Sequence, residues 1–184
     1  MVAPKNIKRE PGDHSSVRSR RNANNTMSLA EMNNILKLVD RGTRLSLALY
    51  EFGTSIPTAT SDVSKLAKEV NLLARELRHV ATSLESNRHY PSHDANRTVS
   101  EILAQSQAVF QEIETLMQVK VIMDGSDTMV PEWSQNTRLK AGYLLGHLDG
   151  LKLTLSVLLQ CLYVAKITMW SRYTLASYML CDTD

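Results

Sequence analysis

The chain has 184 residues, which is enough for one domain with a substantial core, and a second domain is not expected. Hydrophobic residues make up 43% and charged residues 22%, as is ordinary for a soluble globular protein. The seven glycines and five prolines lie mostly outside the periodic segments, which favours a few long helices over a many-turned β structure.

Residues 1–26 are basic, polar and poor in apolar side chains. Six Lys or Arg against two acidic residues give this segment about +4, so the rest carries about −2 and offers no basic face for nucleic acid. Such a composition cannot bury enough surface to offset its ordering entropy, and we predict a disordered basic tail. The basic run at residues 18–21 could instead be a localisation signal or a contact with acidic lipid. The segment lacks the apolar stretch of a secretory signal.

The first two helices are predicted from apolar residues that alternate at spacings of three and four. Ser28 and Glu31 have the capping-box spacing, and Gly53 followed by Pro57 ends the first helix. The second stripe continues without a miss for three heptads, as in a coiled coil, up to a linker that contains Pro91. The first stripe is Ile35, Leu38, Gly42, Leu45, Leu49 and Phe52. The second stripe is Val63, Leu66, Val70, Leu73, Leu77, Val80 and Leu84.

Two further amphipathic helices follow, separated by a loop predicted at residues 124–131. The third begins near Asp94 or at the capping box of Thr98 and Glu101, and the last runs from about Thr137 to Leu180. The third stripe is Val99, Ile102, Ser106, Val109, Ile113 and Leu116, widened by Leu103, Phe110 and Met117. The last stripe is Leu144, Leu148, Leu151, Leu155, Leu158, Leu162, Ala165 and Met169.

These stripes predict an all-α fold, an antiparallel bundle of about four long helices with coiled-coil-like packing, which forms a single domain over residues 27–184. The position after Met169 in the last stripe is Arg172, so we expect the packing to loosen or the helix to bend there.

Residues 151–170 raise the question of a membrane span. Their longest charge-free run covers residues 153–165, which is shorter than the roughly 20 residues that a span requires, so a buried core helix is predicted. Just upstream, Gly142, Gly146 and Gly150 lie on one helix face, as in closely packed membrane helices. Since charged residues are interleaved with them, we predict a mobile helix start packed tightly on a neighbouring helix.

The two cysteines, Cys161 and Cys181, fall in the last predicted helix, about 30 Å apart along a straight axis. This separation is beyond disulfide reach, and the simplest interpretation is a reducing, cytoplasmic compartment. We expect Cys161 to lie inside an apolar helix face as an inert thiol.

No catalytic or metal-binding motif is found, and we expect no enzymatic activity, no catalytic residue, no cofactor and no metal. His89 and His93 are the only metal-like pair, and Pro91 between them favours a loop.

Two segments carry a family resemblance. The first is GTRLSLALYE at residues 42–51, followed by DVSKLAKEVNLLAREL at 62–77 and Leu84; the second is Trp133, LDGLKLTLSVLLQCL at 148–162, and Ala165. Together they resemble the fungal N-terminal domain of STAND proteins, a HeLo-like helical domain found ahead of nucleotide-binding oligomerisation modules. The resemblance covers roughly residues 35–170. It implies a signalling or effector domain that acts through protein association, in some relatives with membrane activity, and it supplies no functional residue by motif.

Two features depart from that family. Many relatives open with a short apolar helix, whereas this chain opens with a basic polar tail, which counts against membrane insertion. No nucleotide-binding or repeat module follows Asp184, so we expect a stand-alone module or the product of a fragment gene.

The leading functional prediction is therefore a non-enzymatic helical interaction module in signalling, which binds a protein partner or itself and not nucleic acid. The alternative is a membrane-associating effector that uses the apolar C-terminal helix, with the basic tail on anionic lipid. The last helix, about 65 Å long, would outrun its neighbours, and its extension past Trp170 is the predicted contact surface. The predicted contact residues are Tyr173, Leu175, Tyr178, Met179 and Leu180.

Overall fold

The computed structural model describes residues 29–86, 93–118, 121–122, 130–131 and 133–181, and for residues 29, 93, 121–122, 130–131 and 175–181 it describes the backbone alone. The helices are α1 (Leu29–Ser55), α2 (Thr60–Ser86), α3 (His93–Met117) and α4 (Gln135–Cys181). Between α3 and α4, the two-residue strands β1 (Val121–Ile122) and β2 (Val130–Pro131) pair antiparallel. The predicted bundle of four long helices is confirmed. The predicted loop is corrected at its end, where Val130–Pro131 is a strand, and the predicted disordered tail and Pro91 linker lie outside the described residues.

A tight turn makes α1 and α2 antiparallel. The Thr60 hydroxyl donates to the Gly53 carbonyl at 2.9 Å, which ties the start of α2 to the end of α1. Further along the pair, the buried Ser46 hydroxyl donates to the Ala67 carbonyl at 2.8 Å. These contacts pair later residues of α1 with earlier residues of α2, as antiparallel helices require.

At Gly42, α1 approaches both of its neighbours closely. A Cβ at this position would lie 2.9 Å from Cζ of Phe110 on α3 and 3.2 Å from Cβ of Ala74 on α2. Phe110 is completely buried, so its ring cannot swing into solvent to make room. Close packing therefore explains why the first predicted stripe has a glycine at position 42: a side chain there would clash with Phe110.

The four helices follow the cyclic order α1–α2–α4–α3 around the core. α1 contacts α2 and α3, and α4 contacts the same two helices from the opposite side. Arg41 of α1 donates two hydrogen bonds to Glu114 of α3, at 3.0 Å and 2.7 Å. Nearer the start of both helices, Glu31 and Ser100 line a common cleft, so α1 and α3 run parallel. The chain direction thus reverses at every connection between helices, and α2 and α3 occupy opposite corners.

The predicted stripes form one continuous core. Every member of the second and third stripes is buried, and the first stripe is buried up to Leu49, with Phe52 half-buried. In α4 the stripe is buried from Leu144 to Leu162, but Ala165 is exposed and Met169 is half-buried. The packing therefore ends earlier than the predicted point, Arg172, because α4 has 47 residues while the other three helices have 25 to 27.

Ser106 is a polar member of the buried α3 stripe. Its side chain is completely buried, and its hydroxyl oxygen has no hydrogen-bond partner among the described residues. An unpaired buried hydroxyl costs about 1–3 kcal/mol. We therefore expect Ser106→Ala to raise the free energy of unfolding by about 1 kcal/mol, measured by urea denaturation.

The matched control is Ser46→Ala, which removes a buried hydroxyl that is hydrogen-bonded. This change is expected to lower the free energy of unfolding by about 1 kcal/mol. A loss of stability at both positions would show that the Ser106 hydroxyl is satisfied within the fold.

Candidate interaction surface

Most of the exposed apolar side chains of the described chain belong to α4. Twelve large hydrophobic residues are exposed, and nine of them lie on this helix. The nine are Leu139, Tyr143, Leu153, Val157, Tyr163, Val164, Ile167, Trp170 and Tyr173. Single exposed hydrophobic residues are normal on a soluble domain, whereas their concentration on one element marks an interaction site.

A second apolar stripe runs along α4 on the face opposite the buried one. It repeats at alternating spacings of four and three, every member is exposed, and none of its members is charged. We call it the outer stripe. Its members are Leu139, Tyr143, Gly146, Gly150, Leu153, Val157, Gln160, Val164, Ile167 and Ser171.

The prediction that Gly142, Gly146 and Gly150 pack tightly on a neighbouring helix is wrong. A Cβ on any of the three would meet no atom within 4 Å. They face away from the bundle because the buried stripe occupies the other side of the helix. Each glycine costs about 0.8–1 kcal/mol of helix propensity relative to alanine. The described fold shows no packing that requires them.

Residues 163–181, which we call the overhang, continue α4 past the last buried leucine. All described side chains of the overhang are exposed except Met169, which is half-buried. Lys166 and Arg172 are its only charged residues, and it has no acidic residue. Among the described large apolar side chains of α4, Trp170 has the highest exposed fraction, at 73%. The overhang is therefore an aromatic and basic surface.

The predicted contact residues fall on this overhang. Tyr173 is 60% exposed. Leu175, Tyr178, Met179 and Leu180 belong to the backbone of α4, and their side chains lie outside the described residues. The segment in which no described side chain is fully buried begins at Tyr163 and not after Trp170. The exposed surface at this end of α4 is therefore larger than predicted.

The outer stripe was missed by sequence reasoning, although its spacing is visible in the sequence. A stripe of core leucines predicts burial for the whole apolar segment around it, because periodicity does not separate the two faces of a helix that is apolar on both. The prediction of a core helix over residues 151–170 therefore holds only for Leu151, Leu155, Leu158 and Leu162. The expectation for Cys161 is wrong, since its side chain is exposed.

α4 also meets the length and composition criteria for a membrane-spanning helix over Gln135–Thr174. The mean hydropathy of its most apolar part is 1.5, and 17% of that part is buried in the bundle. A single helix of this kind is weak evidence for a span, because core helices of soluble proteins meet the same criteria.

Two polar clusters fix α4 to α2. Asp62 of α2 accepts a hydrogen bond from Nε1 of the buried Trp133 at 3.1 Å and pairs with Arg138 at 3.2 Å. The start of α4 is thus anchored to the start of α2.

The second cluster centres on Lys152, which donates to Glu69 of α2 and pairs with Asp149 at 2.8 Å. Burial lowers the pKa of Lys152, but the hydrogen bonds to Asp149 and Glu69 outweigh it, and the pKa is raised overall. The ammonium therefore stays charged in this ion-paired cluster, which lies beside the buried stripe.

The two polar clusters thus join α4 to α2 at two points along the helix pair. Among the described residues, no group of three or more His, Cys, Asp or Glu could hold a metal ion. His89, part of the metal-like pair, lies outside them. Comparison of the chain with protein-family models, with curated proteins and with solved structures gives no match.

Proposed function

We propose that the protein is a non-enzymatic helical interaction module in a signalling pathway and that α4 is its binding element. The observation that carries this proposal is that, among the described residues, nine of the twelve exposed large hydrophobic side chains lie on one helix. The bundle contacts α4 through a single stripe and leaves the outer stripe and the overhang to solvent. A helix that presents an apolar face is a recurrent means of protein recognition.

The chemistry of the overhang supports the same function. Tyr163 and Trp170 are 65% and 73% exposed, and aromatic residues of this type supply much of the binding energy of protein interfaces. The resemblance to the N-terminal domain of fungal STAND proteins agrees with the proposal, because that family acts through protein association.

Site-specific photocrosslinking in cells that express the protein natively tests this function. A photoreactive residue at Val164 or Trp170 is expected to give discrete protein adducts, since both side chains project from α4. The matched control is the same residue at Arg75, an exposed position of α2. Absence of adducts from the α4 sites, or equal adducts from Arg75, would refute the proposal. Mass spectrometry of the adducts identifies the partner.

A membrane-associating effector is the second candidate function, favoured by the pattern of residues on the overhang. Trp170 and the exposed tyrosines accompany Lys166 and Arg172 without any acidic residue. Aromatic side chains at the headgroup level and basic side chains on anionic lipid are typical of helices that lie on a bilayer. Flotation with anionic and neutral vesicles at low and high salt tests this candidate. No binding to either lipid at low salt would exclude it.

A further inference from the structure

We propose that two copies of this chain pair side by side, in parallel and in register, through the outer stripes of their α4 helices. The inference rests on the proposed function, since it names the partner of α4 as a second copy. It begins from the repeat itself. Ten positions at alternating spacings of four and three form the a and d positions of a heptad pattern over about 48 Å of helix.

Coiled-coil packing requires that such a stripe be matched by another stripe of the same period. In the described chain, the stripe through Leu144 and Leu162 is already filled by α2 and α3, while the outer stripe faces no helix. A second copy supplies the same stripe, and contact between identical surfaces gives a closed twofold pair.

The area is sufficient for a stable pair. A strip about 48 Å long and 10–12 Å wide covers about 500–600 Å² in projection, so two strips contribute about 1,000–1,200 Å². Projection underestimates the accessible area, because side chains stand out from the helix. A specific interface needs about 1,000 Å² in total.

The residues at the heptad positions favour two parallel helices. Val157 and Val164 occupy a positions and Leu153 a d position, and β-branched residues at a with leucine at d favour two-stranded parallel coiled coils. In parallel register, Gly146 and Gly150 meet their own copies. Small residues in such a contact allow the two backbones to approach closely. The pair thus accounts for glycines that the fold of one chain does not require.

Gln160 sets the register. It is the only residue with a side-chain amide among the ten positions, and in a parallel pair its amide faces the same amide of the second copy. A single polar residue at a core position of a coiled coil specifies register at some cost in stability. An antiparallel pair centred on the stripe would place Gln160 opposite Gly150, where its amide has no such partner.

Electrostatics do not oppose the pair. The positions that flank the stripe between residues 154 and 168 are uncharged, being Thr154, Ser156, Cys161, Tyr163 and Thr168. Lys166 and Arg172 lie off the stripe and its flanks, so the two copies do not bring them together.

Sedimentation equilibrium of the full chain over a concentration series tests the association. We expect a dimer for the wild type and, for Val157→Glu, at least about 100-fold weaker association, because the change would bury two facing carboxylates. The side chain of Val157 is 53% exposed in the single chain, so circular dichroism and the melting temperature of the dilute variant should not change. Lys166→Glu, on the same helix but off the stripe, is the control that should still dimerise.

Disulfide trapping tests the register. In a chain with Cys161 and Cys181 replaced by serine and Gln160 left in place, Ile167→Cys is expected to form an intermolecular disulfide on mild oxidation, whereas Lys166→Cys is not. Cysteines can bridge only where their Cα atoms approach within about 7 Å, which a parallel in-register pair provides at the stripe position 167. Equal trapping at both positions, or trapping at Lys166 alone, would overturn the parallel pair.

A wild-type chain that remains monomeric, or a Val157→Glu chain that dimerises as well as wild type, also overturns the inference. Adducts from Val164 to a different protein would then leave the proposed function intact, whereas absence of all adducts would remove both. A monomer that floats with anionic vesicles would assign the outer stripe to lipid and reject the pair.

Discussion

Replacement of Phe110 by alanine is expected to lower the free energy of unfolding by about 3–5 kcal/mol. Phe110 is completely buried, and its ring lies against the backbone of α1 at Gly42. The helices around it are held apart by the other buried residues, so they cannot close fully on the cavity left by the ring. Urea denaturation followed by circular dichroism measures the loss.

The reason for this loss is tested by Gly42→Ala in both backgrounds. In the wild type, a Cβ 2.9 Å from the ring overpacks the core and costs about 1–3 kcal/mol, which is at least as much as the roughly 1 kcal/mol gained in helix propensity. In the Phe110→Ala background the clash with the ring is gone and only the 3.2 Å approach to Cβ of Ala74 remains, so we expect the same substitution to lower the free energy of unfolding less, or to raise it. Gly142→Ala, whose added methyl group meets no neighbour, should raise the free energy of unfolding in either background. The same effect of Gly42→Ala with and without the ring would contradict this packing.

The two faces of α4 are expected to differ in their effect on stability. Leu148→Ala should lower the free energy of unfolding by about 2–5 kcal/mol, because Leu148 is completely buried between α4 and the bundle. Leu153→Ala should change it by less than about 0.5 kcal/mol, because Leu153 is 68% exposed. Thermal or urea unfolding of both variants in dilute solution, where any pair dissociates, measures the difference.

The two variants are chemically matched, since each replaces one leucine of the same helix by alanine. Similar losses for both would mean that the outer stripe is covered within the single chain. A difference of several kcal/mol confirms that α4 is held by one face.

Much of the fold could be predicted because three of the helices have a single apolar stripe each. The second stripe, from Val63 to Leu84, is buried at every position, as its unbroken heptad pattern predicts. Helix α1 ends two residues beyond the predicted glycine, at Ser55, and α4 starts two residues before Thr137. Propensity and periodicity are sufficient for elements of this kind.

The candidate surface could be predicted only in part, because α4 is apolar on both sides. A sequence pattern shows that Leu153 and Leu155 are apolar, but it does not show which of the two faces the other helices. That choice depends on the lengths and positions of α2 and α3, which are set by contacts between distant parts of the chain. Trp133 illustrates the same limit, since its bond to Asp62 joins residues 71 positions apart.

The difference in helix length reported above has a consequence for the number of partners that α4 can hold at once. Where α2 and α3 flank it, α4 has one open side. Past Leu162, α4 has two open sides. The buried stripe continues there at Ala165, which is exposed, and at Met169, which is half-buried. A second copy on the outer stripe would leave that continuation uncovered on each helix. The two overhangs of the pair would then each keep one uncovered face, and each of these faces could bind a further helix.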